Sequence, residues 1–305
     1  CQSGPIGRRW CMDKAIHQAE PAPEPALVRR ILRFPFTLLV LEVAAVGLSA
    51  MVLSNLIRLA GVGRDGPVNF AGAVLLAVML IGLWKLLRRF LEGEMDRELD
   101  FGGAPRELGL GLAGGFVLFS AMTGIVALLG GFEVLGLRGM GDLWGMLAMA
   151  VVSATFEEIL FRGVLFRQVE AMLGSWAALA LTSALFGAAH LMNPDSSPFA
   201  AFAIAMEAGI LLGAAYLLTR RLWLPIGIHA AWNFTQGWVF SVPVSGGDAP
   251  LGLLITRRVG PEWLTGGDFG LEASVVAMIV ATLAGVAILV RAIGQGRLVR
   301  PMWAR

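Results

Sequence analysis

Between residues 36 and 292 the chain returns eight times to an apolar run of about the length that crosses a bilayer. The runs cover roughly 36–60, 69–91, 107–130, 143–168, 175–193, 199–218, 222–241 and 271–292. In lipid each backbone polar group must be satisfied inside its own segment, so such runs fold as helices. The expected fold is all-α: a polytopic transmembrane helical bundle of about eight spans. The chain is 57% hydrophobic and 15% charged, where a soluble domain carries about 25% charged residues. Its length leaves room for one membrane domain and no large soluble one.

The positive charges orient the bundle. Nineteen of the Lys and Arg residues fall on one side of the predicted spans and five on the other. Positive loops stay inside, so both termini are expected in the cytoplasm. Residues 1–34 read as a polar cytoplasmic tail, with alternating Pro21, Pro23 and Pro25 and an anchor of Arg29, Arg30 and Arg33. Residues 35–295 read as the membrane domain and 296–305 as a basic C-terminal tail. Cys1 and Cys11 both lie in the first tail, which leaves the core no disulfide framework. Met12 is a candidate start, which would make residues 1–11 an extension. No nucleic-acid partner is expected; the lipid bilayer is.

Against this apolar background, Phe156-Glu157-Glu158-Ile159-Leu160-Phe161-Arg162-Gly163 is the anomaly. A charge in the bilayer costs at least a few kcal/mol, so an ionisable residue there marks a functional site by default. Glu158 and Arg162 are i,i+4 and share a helix face, so they are expected to neutralise each other. Glu157 lies about 100° further round and is left to face other helices.

Two of the three histidines lie in later apolar runs. Phe186 and His190 are i,i+4, as are His229 and Asn233; His17 lies in the N-terminal tail. Glu, His, His and Asn are residue types that activate water and stabilise an oxyanion. The expected chemistry is hydrolysis of a peptide bond inside the bilayer. Glu157 and His190 would activate the water, and His229 with Asn233 would stabilise the tetrahedral oxyanion. Zinc held by some of Glu157, His190 and His229 is the alternative, although no HExxH is present.

Glu157-Glu158-x-x-x-Arg162, Phe186-x-x-x-His190 and His229-x-x-x-Asn233, in that order in consecutive apolar runs, resemble the three motifs of the CAAX prenyl endopeptidase and bacteriocin-processing (CPBP, or Abi) family. The resemblance covers about residues 143–240. Leu264-Thr265-Gly266-Gly267 and Gly270-Leu271-Glu272-Ala273-Ser274 also look like bacterial members. The family implies an intramembrane endopeptidase, commonly called a metalloprotease. It acts on a membrane-embedded peptide or protein, prenylated in eukaryotic members, and here in a bacterial inner membrane. A non-catalytic immunity or scaffold protein on the same fold is the second reading. A proton-coupled transporter using Glu157, His190 and His229 as a relay is the third.

Other features carry weaker expectations. Gly111/Gly115 and Gly209/Gly213 are GxxxG pairs, read as helix packing. Glu42 and Glu207 fall mid-span and would line a cavity or pair with an arginine such as Arg58. Residues 242–270 form a long connection that either folds over the mouth of the membrane domain or runs as a plain surface loop.

Overall fold

The apolar runs become helices with conventional starts. The computed structural model describes residues 27–59, 66–93 and 97–305; Cys1, Cys11, Met12 and His17 lie outside them. Helix α1 is Pro35–Leu59, α2 is Gly66–Leu87 with a π turn Arg88–Glu92, and α3 is Ala104–Leu128. Helix α4, Leu143–Glu158, continues as the π segment Ile159–Phe166 into α5, Arg167–Ala189. Then come α6, Pro198–Ile204, the π turn Ala205–Gly209, and α7, Ile210–Thr219. Helix α8, Trp223–Phe234, ends in the π turn Thr235–Val239, and α9 is Val275–Gly294. Asp142, Ser197 and Ser274 cap α4, α6 and α9, each accepting from the backbone N–H three residues on.

Among the described residues six helical stretches are long and apolar enough to cross a membrane, and the bundle is all-α but for one strand pair. One stretch, Leu143–Met192, runs 50 residues. It breaks at Gly174 (φ 81°, ψ 170°), so the expected spans 143–168 and 175–193 are its two arms. The arms pack on each other, with the Phe161 and Phe186 rings 4.8 Å apart and edge to face. Helix α8 is buried and, at 12 residues plus a 5-residue π turn, is not among the six. The span expected from 271 begins instead at Val275, because Ser274 caps the helix and leaves Glu272 ahead of it.

Small residues bring the site helices together. A Cβ at Gly115 would lie 2.4 Å from the Ile228 carbonyl oxygen, and one at Gly111 would lie 2.5 Å from that of Leu224. Gly227 answers from α8, 2.6 Å from the Leu108 oxygen. The first GxxxG pair thus seats α3 against the helix that carries His229. Gly115→Val is expected to destabilise the protein by about 1–3 kcal/mol, the usual cost of overpacking. A detergent denaturation midpoint unchanged from wild type would show that α3 and α8 can part without cost.

Several polar groups have partners the spacing did not suggest. Glu42 accepts from Arg167 (2.9 and 3.1 Å) and Gln168 (3.0 Å). It neither lines the cavity described below nor meets Arg58, which donates to Asn55. Arg167 also meets Glu92 (2.6 Å), and the Tyr216 hydroxyl donates to Glu98 (2.7 Å). Residues 299–305 are docked: Ser175 N donates to the Val299 carbonyl (3.0 Å), Val299 N to Ser175 Oγ (2.8 Å), and Arg305 to the Glu170 carbonyl (3.1 Å). They close over the Gly174 turn, where a Cβ would lie 2.9 Å from the Val299 oxygen.

The long connection is structured. Strands β1, Phe132–Leu137, and β2, Leu254–Arg258, pair antiparallel, with Glu133 opposite Arg257 and an ion pair of 2.6 Å between them. Between α8 and α9 the chain turns inward. Val242, Leu264 and Phe269 are buried, and Asn193 Nδ2 donates to the Ser245 carbonyl (3.1 Å). The two ends of the connection, 242–246 and 264–273, therefore pack onto the helices near the motif residues, while Leu251, Val259 and Trp263 between them stay exposed.

Candidate active site

The first motif sits where α4 passes into its π segment, a distortion frequent at functional sites. Glu158 and Arg162 are almost wholly buried, and Arg162 Nη1 donates to Glu158 Oε1 at 2.8 Å. Arg162 Nη2 donates to the Ala208 carbonyl (3.1 Å), and its guanidinium lies 4.8 Å from the Phe186 ring centre. The same Glu158 Oε1 lies 2.9 Å from His229 Nδ1. A carboxylate can only accept, so Nδ1 carries the proton and Nε2 is the working nitrogen of His229. Glu158 is thus shared between Arg162 and His229, a second partner that spacing within one helix could not reveal.

Glu157 approaches His229 at the other ring nitrogen. Its Oε2 is buried, has no hydrogen-bond partner, and lies 3.9 Å from His229 Nε2. That gap is one to ask a bridging water about. His190 closes α5 with Nδ1 donating to the Phe186 carbonyl (2.7 Å), which turns Nε2 outward as an acceptor. The Phe186 ring packs 4.8 Å from His190 and 6.2 Å from His229. Asn233 Nδ2 donates one hydrogen to Ser153 Oγ (3.1 Å) and keeps a second.

Phe186, His190, His229 and Asn233 line one cavity. It offers about 40 Å³ to water-sized molecules, room for on the order of three waters. Trp232 lines it too, braced edge to face on Phe119 at 5.0 Å, and does not face lipid. Glu157 stands beside it, at the His229 wall. Among the described residues no three His, Cys, Asp or Glu side chains converge to hold a metal ion. Glu158 occupies His229 Nδ1 and the Phe186 carbonyl occupies His190 Nδ1. Both contacts leave Nε2 open, as they also do in a metal-ligating histidine, whose other ring nitrogen donates to a carboxylate or carbonyl.

Two further carboxyls belong to this cavity. Glu207 projects from the π turn Ala205–Gly209, and Glu272 comes from the turn ahead of α9. Glu272 accepts from Ser245 N at 2.5 Å. Burial pushes its carboxyl up to about 7, against the opposing pull of hydrogen bonds from Ser245 and Gln236 and of the charge on His229. Glu207 was legible as a mid-span charge, but Glu272 was legible only as part of the motif-like stretch near residue 270.

The multi-pass helical bundle thus sets two histidines, an asparagine and carboxyls around an internal cavity. Residues 139–235 match the family model described as type II CAAX prenyl endopeptidase Rce1-like, a likeness to the CPBP/CAAX proteases that covers this stretch of the chain. The matched stretch holds all seven motif residues, while Glu272 and the packed connection lie beyond it. No curated protein and no solved structure matches the chain.

Proposed function

We propose that the protein is an intramembrane endopeptidase that hydrolyses a peptide bond of a membrane-associated or lipidated peptide or protein. The observation that carries this reading is the unpartnered Glu157 Oε2, 3.9 Å from His229 Nε2 at the edge of a cavity lined by His190, His229 and Asn233. Glu157 takes a proton from a water that His190 Nε2 helps to hold, and the water oxygen attacks the scissile carbonyl. Charge then develops on the carbonyl oxygen. Asn233 donates its second amide hydrogen to it, and His229 donates from Nε2. Because Nδ1 is already committed to Glu158, His229 donates there only as the imidazolium, a cation that Glu158 stabilises. The proton held by Glu157 passes to the leaving amine, and the C–N bond breaks.

Glu158, Arg162 and Phe186 position these groups and do not touch the substrate. The charge bias of the loops supports cytoplasmic termini, and the resemblance to bacterial members is what favours a bacterial inner membrane. The family supports a lipidated tail, prenylated or not, as one substrate class.

The test is purified protein in lipid nanodiscs with a library of membrane peptides, wild type beside His190→Ala, products read by mass spectrometry. Defined cleavage that His190→Ala loses is expected. A wild type that cuts nothing, or a variant that cuts equally well, sinks the reading. Thorough chelation separates the two ways of activating the water: an unchanged rate keeps Glu157 and His190 as the activating groups, and a lost rate that zinc restores assigns the water to the metal.

A further inference from the structure

The cavity has a wall the proposed reaction does not use. Glu207 and Glu272 are 2% and 3% exposed, and their charges act on each other across the cavity. Glu207 Oε2 has no hydrogen-bond partner. A buried carboxylate left without a donor or counter-charge is among the costliest arrangements a protein can hold. No Lys or Arg lines the cavity among the described residues. Arg162, which reaches the carbonyl of Ala208, the residue after Glu207, is committed to that carbonyl and to Glu158.

The backbone is bent to hold this arrangement. Glu207 sits within a π turn whose Met206 and Ala208 carbonyls are satisfied from outside the helix, by Thr282 Oγ1 (3.1 Å) and Arg162 (3.1 Å). Glu272 is fixed from the other side by Ser245 N, in a segment that Asn193 ties down through the Ser245 carbonyl. Two carboxyls from elements 65 residues apart are thus aimed into the cavity that His190 and His229 share.

We infer that Glu207 and Glu272 form a subsite for a cationic side chain of the substrate, an ammonium or guanidinium close in sequence to the bond that is cut. This rests on the endopeptidase reading above and adds a substrate class to it. Without substrate, a proton on one of the two carboxyls meets part of the cost of burying them. With substrate, the cation replaces that proton and makes charge-assisted hydrogen bonds to both carboxyls. Peptides with Lys or Arg near the scissile bond are favoured over isosteric neutral ones, and acidic ones are rejected.

The experiment uses the full chain in nanodiscs and paired fluorescent membrane peptides that differ at one position, lysine against norleucine. Binding and cleavage are measured separately. Wild type is expected to bind the lysine peptide on the order of tenfold more tightly, and Glu207→Gln and Glu272→Gln are each expected to shrink that ratio towards one. Equal binding of the two wild-type partners at every position scanned overturns the subsite, as does a preference that survives both substitutions. The wild-type comparison needs no variant to fold. A lysine preference in binding with no cleavage of any peptide leaves the subsite standing and fails the endopeptidase reading. Cleavage without charge preference does the reverse.

Discussion

Glu157→Gln is expected to lower kcat for peptide hydrolysis by on the order of 10²- to 10⁴-fold, the usual contribution of a positioned general base. Glutamine keeps the shape and a carbonyl oxygen but cannot take a proton. The fold is expected to tolerate the change, because Glu157 Oε2 makes no hydrogen bond and the side chain is 24% exposed. KM should change little, since the interaction lost belongs to the transition state. Single-turnover measurements on a quenched peptide in nanodiscs read the effect directly. A kcat within about threefold of wild type would remove Glu157 from the chemistry and pass its role to His190.

Arg162→Met has the largest expected effect on stability, a loss of about 3–5 kcal/mol, typical when one member of a buried ion pair is removed. The guanidinium holds Glu158 at 2.8 Å and the Ala208 carbonyl at 3.1 Å, so methionine strands both. Glu158 would keep only His229 as a partner at the centre of the bundle. Neutralising it in the double variant Glu158→Gln/Arg162→Met is expected to recover part of the loss, which a cycle of four unfolding curves in mixed micelles can separate. Strict additivity would mean that Arg162 stabilises the bundle through Ala208 and Phe186 alone.

How much of this was legible beforehand depended on distance along the chain. The Glu158–Arg162 pair was, because helical period sets an i,i+4 contact. The Phe186–His190 contact was legible for the same reason, and so was the shared helix face by which His229 and Asn233 both line the cavity. The break at Gly174 could be read from the gap between two apolar runs. What spacing cannot reach is the partner on another helix. Glu158 meets His229, Glu42 meets Arg167, and Tyr216 meets Glu98 only because packing brings distant segments together. The β1–β2 ribbon was equally hidden, since Gly136 sits at a register shift that spoils the alternation a strand would show. Glu272 was misplaced by hydropathy, which counts an apolar window and overlooks the serine cap that ends it.

The docked residues 299–305 have a topological consequence. Because Val299 is fastened to Ser175 by two hydrogen bonds, the segment from 175 to 299 is a ring closed without a covalent bond. His190, Glu207, His229, Asn233 and Glu272 all lie within it. A force drawing the chain out from its C-terminal end must unlatch that clasp before it can extract α9. The cavity's walls are therefore guarded mechanically by a contact that touches none of them.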